Sequence, residues 1–445
     1  MTPSSLIPQT GSAIVEVYGR RVWDSRGRPT IEAEVRLEDG SCGRAIAPAG
    51  ASRGSHEAVD KRDGGKRLGG HDVKDALAGI TDEIAPALAG MDAAEQAEID
   101  QCLIELDGTP DKSRLGGNAI AAVSMASLHA AAASAGVPLW QYLANGAPVR
   151  LPMPEIQIFG GGAHAGRRID IQDLMVVATA ANSFEQAIEM TAEVYLSAGR
   201  IMADSGRLQG VADEGGYWPV FDSNEEALET LVRAIEGAGF VPGKEVAISL
   251  DVAASEFGER GRYRLGLDSR ELDSDGLCEL LTGWCRRFPI ISVEDPLAED
   301  DPEGLRRFTA AVGDKVQVVG DDFLVTSAAR IGEAAASSSV NAVLIKVNQA
   351  GTVSEAHAAL VAGRQAGMGT IVSARSGETE DLTIVHLAVG WNAGQFKVGS
   401  FSRSERMAKW NEMIRIEQSL GSGAVFAGCS WLPGAEPPLP ATRLT

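Results

Sequence analysis

From residue 246 onward the chain repeats one pattern: a short apolar run ends in a polar or charged residue, and a helical stretch follows. Val246–Leu250 leads to Asp251, Ile290–Val293 to Glu294, Val316–Gly320 to Asp321, and Val343–Ile345 to Lys346. Thr370–Val372 leads to Ser373 and Arg375, and Gln395-Phe396 to Lys397. From Glu294 the spacing is roughly 25 residues, close to one strand–helix unit. Strands that are apolar throughout need cover on both faces, so the pattern predicts an α/β fold with a parallel array. Six such units and the segment before them predict a closed (β/α)8-like, TIM-like barrel. The competing open, doubly wound sheet usually carries a glycine-rich dinucleotide loop after its first strand. Here Gly160-Gly161-Gly162 runs into Ala163-His164 instead.

The first 45 or so residues read differently. Ile31, Ala33, Val35 and Leu37 alternate with polar residues, and Asp39-Gly40 supplies a tight turn. From Val73 to Ala144 the period becomes helical, with an alanine-rich stretch at 119–135. An α+β domain over 1–148 and a barrel domain over 149–445 follow. The formal net charge of −21 and pI of about 4.8 argue against a nucleic-acid surface or a basic membrane patch. A small anionic substrate would meet a repulsive field, so its site must carry local positive charge. The five cysteines are odd in number and form no C-x-x-C pair, which predicts a reducing cytoplasm. Met1–Thr10 does not read as a signal peptide, no run approaches a membrane span, and the proline-rich tail at Leu432–Pro440 reads as loose.

In a barrel of this kind the chemistry sits at the carboxyl ends of the strands. Asp251, Glu294, Asp321, Lys346 and Lys397 all fall there. Three carboxylates gathered together repel, and a hard divalent cation relieves them; oxygen-only ligands favour Mg²⁺ over zinc. Capping of the next helix explains any one of these acids better than it explains three in register. Lysine at the end of an apolar strand is unusual unless paired or reactive. Surrounded by positive charge, Lys346 would have a lowered pKa and act as a base, while Lys397 either holds a carboxylate or pairs with a rim acid. Asp213-Glu214-Gly215-Gly216 places a candidate general acid in a loop that is also a good turn. Arg375 and Ser376 either clamp a phosphoryl group or begin a solvated helix. His164 and His56 lie in glycine-rich loops, whereas His129, His357 and His386 fall in helical patterns and read as structural.

Several strings together resemble the enolase family. They include Gly50–Glu57 (G-A-S-R-G-S-H-E), Glu105–Pro110, Asp213–Gly216, Leu250–Phe257, Val293–Pro296, Gly320–Asp322, Leu344–Gln349, Arg375–Asp381 (R-S-G-E-T-E-D) and Ser402–Lys409 (S-R-S-E-R-M-A-K). The resemblance runs from about Ile14 to Leu420. It implies an N-terminal α+β domain capping a modified barrel, two Mg²⁺ ions, a homodimer or larger assembly, and removal of water from 2-phosphoglycerate. On these positions it assigns Asp251, Glu294 and Asp321 to the first metal, and Ser52 to the second. Lys346 is then the base and Glu214 the acid that protonates the leaving hydroxyl. Lys397 holds the substrate carboxylate, Arg375 and Ser376 bind the phosphoryl group, Gln172 and Ser52 contact the substrate, and His164 and Asp173 join the catalytic set on the acid side.

The sequence departs from the family pattern around the expected substrate. Ala374 stands where histidine usually precedes Arg-Ser, and Asp173 stands where glutamate usually follows Gln172. Gly160, preceded by Phe159, replaces an asparagine, Tyr217-Trp218 a Phe-Ala pair, and Arg53 a threonine, where its guanidinium is expected to bind substrate oxygens. These changes lead to the expectation of a larger or more acidic group on the substrate's 2-oxygen, as in 2-phosphonoformylglycerate. Its dehydration would give carboxyphosphonoenolpyruvate, a chemistry of phosphinate natural-product pathways. The alternatives are glycolytic enolase with tolerated substitutions, or a catalytically silent enolase fold kept for binding.

Overall fold

Alternation along the N-terminal segment produces a three-stranded antiparallel sheet in the computed structural model, which describes residues 11–433. The first ten residues and the proline-rich stretch from 434 lie outside the described residues. The strands β1 (Ile14–Trp23), β2 (Pro29–Leu37) and β3 (Cys42–Ile46) pair in that order. Ile31, Ala33, Val35 and Leu37 are buried, as the alternation requires. The intervening acids are not simply solvated: Arg20 bridges Glu32 and Glu34, at 2.7 Å each. At the β2–β3 turn Gly40 takes φ +86°, and the Asp39 carboxylate accepts the Ser41 N–H at 2.7 Å.

The alanine-rich helix Gly117–Ser134 is buried on nearly every side, which its composition permits. Its backbone lies so close to β3 that a Cβ on Gly43 would sit 2.1 Å from the Ala126 carbonyl and the Ala130 nitrogen. The segment Val347–Glu355 belongs to this same compact unit, with the described residues up to Ala49 and Ala58–Ala147. Ser124 Oγ accepts the Val353 N–H at 3.0 Å, and Lys112 pairs with Glu355 at 2.8 Å.

The second unit comprises Gly50–Glu57, Pro148–Lys346 and the described residues from Ala356. Its barrel strands are β4 (Met153–Gly160), β5 (Asp173–Val177) and β6 (Ala247–Asp251). A small separate sheet follows, of β7 (Gly258–Glu259), β8 (Arg262–Leu265) and β9 (Arg270–Asp273). The barrel resumes with β10 (Ile290–Glu294), β11 (Gln317–Gly320), β12 (Ala342–Ile345), β13 (Gly369–Ser373) and β14 (Gln395–Gly399). It closes in the order β10-β11-β12-β13-β14-β4-β5-β6.

The barrel is not wholly parallel, contrary to the sequence expectation. β5 runs antiparallel to both β4 and β6. The link 161–172 contains a 3-10 turn and no α-helix to carry the chain back to the other end of the barrel, so β5 returns beside β4. The interior combines an apolar cluster of Val319, Ala342, Leu344 and Ile371 with a buried polar network. In that network Gln395 joins Glu155 and Gln317, and Ser249 donates to Glu155 at 2.8 Å. A satisfied network of this kind fixes strand register as well as filling space. Among the described residues no helix is long and apolar enough to cross a membrane.

The close approach at Gly43 yields a stability prediction. Gly43→Ala should lower unfolding free energy by about 2 kcal/mol or more, because the new methyl meets backbone that has no rotamer to change. Chemical denaturation checks this, and a loss below about 0.5 kcal/mol, the range of a neutral surface change, contradicts it.

Candidate active site

Short strands of four or five residues place their last side chains at one end of the barrel. Asp251 and Glu294 end the neighbouring strands β6 and β10 and stand opposite each other in register. Asp321 directly follows β11, Lys346 directly follows β12, and Lys397 lies in β14 opposite Ser373 of β13. All five side chains are buried.

Their charges are paired tightly. Lys397 Nζ lies 2.9 Å from Asp251 Oδ2, 2.8 Å from Glu294 Oε2 and 3.5 Å from Asp173 Oδ2. Lys346 Nζ donates to Asp321 Oδ2, and its backbone N–H to Thr326 Oγ1 at 3.0 Å. The three acids are thus divided between two ammonium groups. Two further acids, which the sequence reading passed over, crowd the same end. Asp295 accepts the backbone N–H groups of Asp321 (2.9 Å) and Asp322 (2.7 Å), so it sets the turn that presents Asp321. Carboxylate oxygens of Asp295, Asp321 and Asp322 lie within 4.8 Å of one another.

The electrostatics follow from this crowding. Burial, reinforced by the charge of Asp251, pushes Glu294 well above the usual carboxylate range against the pull of Lys397. Burial and Asp321 push Asp295 up to about 8. Asp321 itself is lowered: burial opposes ionisation, but Lys346 and Arg375 outweigh it. Lys346 is raised, not lowered as its positive neighbours led one to expect. Burial favours the neutral amine, as do Arg375 and Lys397, yet the Asp321 carboxylate beside it dominates.

Acid therefore exceeds base in this mouth. Asp173, Asp251, Glu294, Asp295, Asp321 and Asp322 face Lys346 and Lys397 in a space where each uncompensated charge is costly. Glu294 Oε1 and Gln172 Oε1 are buried without a hydrogen-bond partner. Orphaned oxygens among excess carboxylates fit a hard, oxygen-seeking divalent cation, and the donor set offers it no sulfur.

A cavity opens over these groups, lined by Ser52, His164, Gln172, Asp173, Glu214, Asp251, Lys346, Arg375, Ser376 and Lys397, among others. On one side His164 Nδ1 lies 3.0 Å from Asp173 Oδ1, and Nε2 lies 3.8 Å from Glu214 Oε1. Burial alone would lower the imidazole, but Asp173 and Glu214 outweigh it and hold His164 up to about 9. Gln157, a further residue missed in the sequence, donates to Asp173 and accepts the Gly216 N–H at 2.8 Å. It ties the Glu214 loop to Asp173. On the other side the Arg375 guanidinium meets buried Glu57 at 2.9 and 3.2 Å and donates to the Ser52 carbonyl at 3.1 Å.

Arg53 is exposed and is not among the residues lining this cavity. Nor are Phe159, Gly160, Tyr217 or Trp218. Tyr217 stacks on Tyr195 at 4.4 Å, and Phe159 meets Phe221 edge-on at 5.0 Å. A Cβ on Gly160 would lie 2.6 Å from that of Ala212. Phe159, Gly160 and Tyr217 thus pack against their neighbours, away from the cavity. Of the departures noted in the sequence, Asp173 and Ala374 do line the cavity.

Residues 148–433 match the family described as "Enolase, C-terminal TIM barrel domain", and residues 14–143 match "Enolase, N-terminal domain". The chain belongs to the enolase family. It is 48% identical over 419 residues to Enolase 1 of Desulfitobacterium hafniense (strain Y51), covering 94% of this chain and 96% of that relative. Enolases are metal-dependent hydro-lyases acting on a small substrate, and the acid-rich barrel mouth agrees with that class.

The pairing around Lys397 gives a direct test. Lys397→Met leaves two buried carboxylates without their cation and should cost about 3–5 kcal/mol in buffer free of divalent ions. Denaturant unfolding measures it; a change below about 1 kcal/mol would mean that the carboxylates are solvated rather than held by the lysine.

Proposed function

We propose that this enolase removes water from 2-phosphoglycerate to give phosphoenolpyruvate. The observation that carries the reading is one cavity lined by a lysine, Lys346, and a carboxylic acid, Glu214, together with Lys397, Arg375 and Ser376. Such a site offers a base, an acid and separate cationic holds for a carboxylate and a phosphoryl group.

In this reading Asp251, Glu294 and Asp321 hold one Mg²⁺, and Ser52 contributes to a second with the substrate. Bound there, Mg²⁺ supplies the positive charge that stabilises a carboxylate dianion. The chain's own residues do the rest. A cation held by Asp321 would draw that carboxylate away from Lys346, the group whose charge raises the lysine. Arg375 and Lys397 then favour its neutral amine. Lys346 Nζ takes the proton beside the substrate carboxylate, whose negative charge Lys397 neutralises. The electron pair left on that carbon forms the new double bond as the C–O bond breaks. Glu214 gives its proton to the departing hydroxide, which leaves as water, while Asp173 and His164 hold the acid in place. Arg375 and Ser376 retain the phosphoryl group. The five thiols are unpaired, which supports a reducing cytoplasm, and the family resemblance supports a homodimer.

The 2-phosphoglycerate reading draws on the relative named Enolase 1, and on Gly160 and Tyr217 packing away from the cavity. A second reading rests on Ala374, which lines the cavity where an imidazole is expected, and on the shortened Asp173. Ala374 leaves space beside Arg375, and Asp173 leaves space on the acid side. They favour 2-phosphonoformylglycerate as substrate, with carboxyphosphonoenolpyruvate as product.

The test is Mg²⁺-dependent growth of enolpyruvate absorbance with each glycerate. Turnover of 2-phosphoglycerate, abolished by chelator, is expected. Turnover of the phosphonoformyl ester alone would favour the second reading, and silence with both would point to a binding protein. Lys346→Ala should abolish exchange of the substrate α-hydrogen with solvent. Glu214→Gln should retain that exchange while elimination falls about 10²–10⁴-fold. Persistent exchange in the lysine variant would misassign the base.

A further inference from the structure

The string Ser402–Lys409 has no part in the chemistry just described, yet it buries two cations completely. Arg406 and Lys409 are both 0% exposed, in the first two turns of the helix Ser404–Leu420. Burying a guanidinium is costly unless its donors are engaged. Arg406 Nη1 donates to the carbonyls of Arg375 (2.8 Å) and Val398 (2.7 Å), and Nη2 to that of Ser376 (2.6 Å). The same Nη1 lies 3.7 Å from Glu214 Oε1. One side chain therefore holds the backbone of both anion-pocket residues and faces the carboxylate of the acid. Next to it, Ser402 Oγ donates to the carbonyl of Gly215, the residue after Glu214, at 2.7 Å. Lys346, by contrast, takes its polar contacts from Thr326 and Asp321 on other elements.

We infer that Arg406, with Ser402 beside the Glu214 loop, is a positioning residue that locks the Arg375-Ser376 backbone and Glu214 into one frame, so that elimination depends on it far more than proton removal by Lys346 does. The inference rests on the proposed roles of Lys346 and Glu214. Its chemistry is particular to arginine. A planar fork serves several carbonyls and a carboxylate at once, and an ammonium on a flexible stem does not hold that spread of acceptors. A merely space-filling arginine would affect both halves of the reaction alike.

The experiment uses full-length Arg406→Lys with Mg²⁺ and saturating 2-phosphoglycerate in D₂O. It measures α-hydrogen exchange by NMR, enolpyruvate formation by absorbance, and melting temperature. Exchange should stay within about threefold of the wild type while elimination falls about 100-fold, the scale of an ångström-sized misplacement of an acid. Equal loss of both rates in a folded variant, or loss of neither, overturns the inference. Ser402→Ala supplies a milder probe should Arg406→Lys fail to fold. It should slow elimination several-fold with exchange intact, and unchanged elimination overturns the inference there. A wild-type chain that neither exchanges nor eliminates overturns the underlying assignment of the site and this inference with it, a result distinct from any difference among the variants.

Discussion

The arrangement on which the rest depends is an excess of buried carboxyl groups over ammonium groups at the carboxyl end of the barrel. Lys397 spans Asp251 and Glu294, and Lys346 holds Asp321, but Asp295 and Asp322 stand within the same crowd. Buried acids in this number are not there for stability, since well-packed apolar side chains would serve as well or better. They make sense as a seat for a divalent cation. That seat also resolves the state of Lys346. Paired with Asp321 its ammonium is stabilised, and in the proposed reaction competition for that carboxylate would make the amine available as a base.

Around this centre the cavity has two walls of different construction. The acid wall is built from β4, β5 and the Glu214 loop, with Gln157 linking the Gly216 backbone to Asp173. The anion wall is built from the stretch after β13, with Glu57 gripping Arg375 from the Gly50–Glu57 segment. The wall after β13 is held from behind by the helix Ser404–Leu420, whose Arg406 Nη1 also lies 3.7 Å from Glu214 Oε1. Its Arg406 and Lys409 reach the carbonyls of Arg375, Ser376 and Thr379. The reversed strand β5 matters here, because it carries Asp173 at its start, opposite Asp251 in register. A parallel strand in that place would present a different end of its sequence to the site.

Much of the barrel was legible because strands buried on both faces need long apolar runs, and because a polar residue ending such a run is conspicuous. Asp251, Glu294, Asp321, Lys346 and Lys397 stood out for that reason. The direction of β5 was not legible, since five residues such as Asp173–Val177 read alike either way, and only the missing crossover helix decides. Asp295 and Asp322 are harder to pick out in the sequence because each directly follows another acid, and the first of each pair already accounts for the strand end. Gln157 hides within an apolar strand, although Glu155 and Gln157 two residues apart signal an inward polar face. The aromatic departures misled for a related reason. Their place in the family pattern suggested contact with substrate, whereas Tyr217 and Phe159 turn toward Tyr195 and Phe221.

Whether the crowded acids are a cation seat can be measured without any substrate. Electron paramagnetic titration of the metal-free chain with Mn²⁺ should reveal tight binding that weakens about 100-fold or more in Asp321→Asn and in Glu294→Gln, because each loses an anionic oxygen ligand. Mn²⁺ binding of unchanged affinity in both variants would contradict the account, since the buried acids would then have some other purpose.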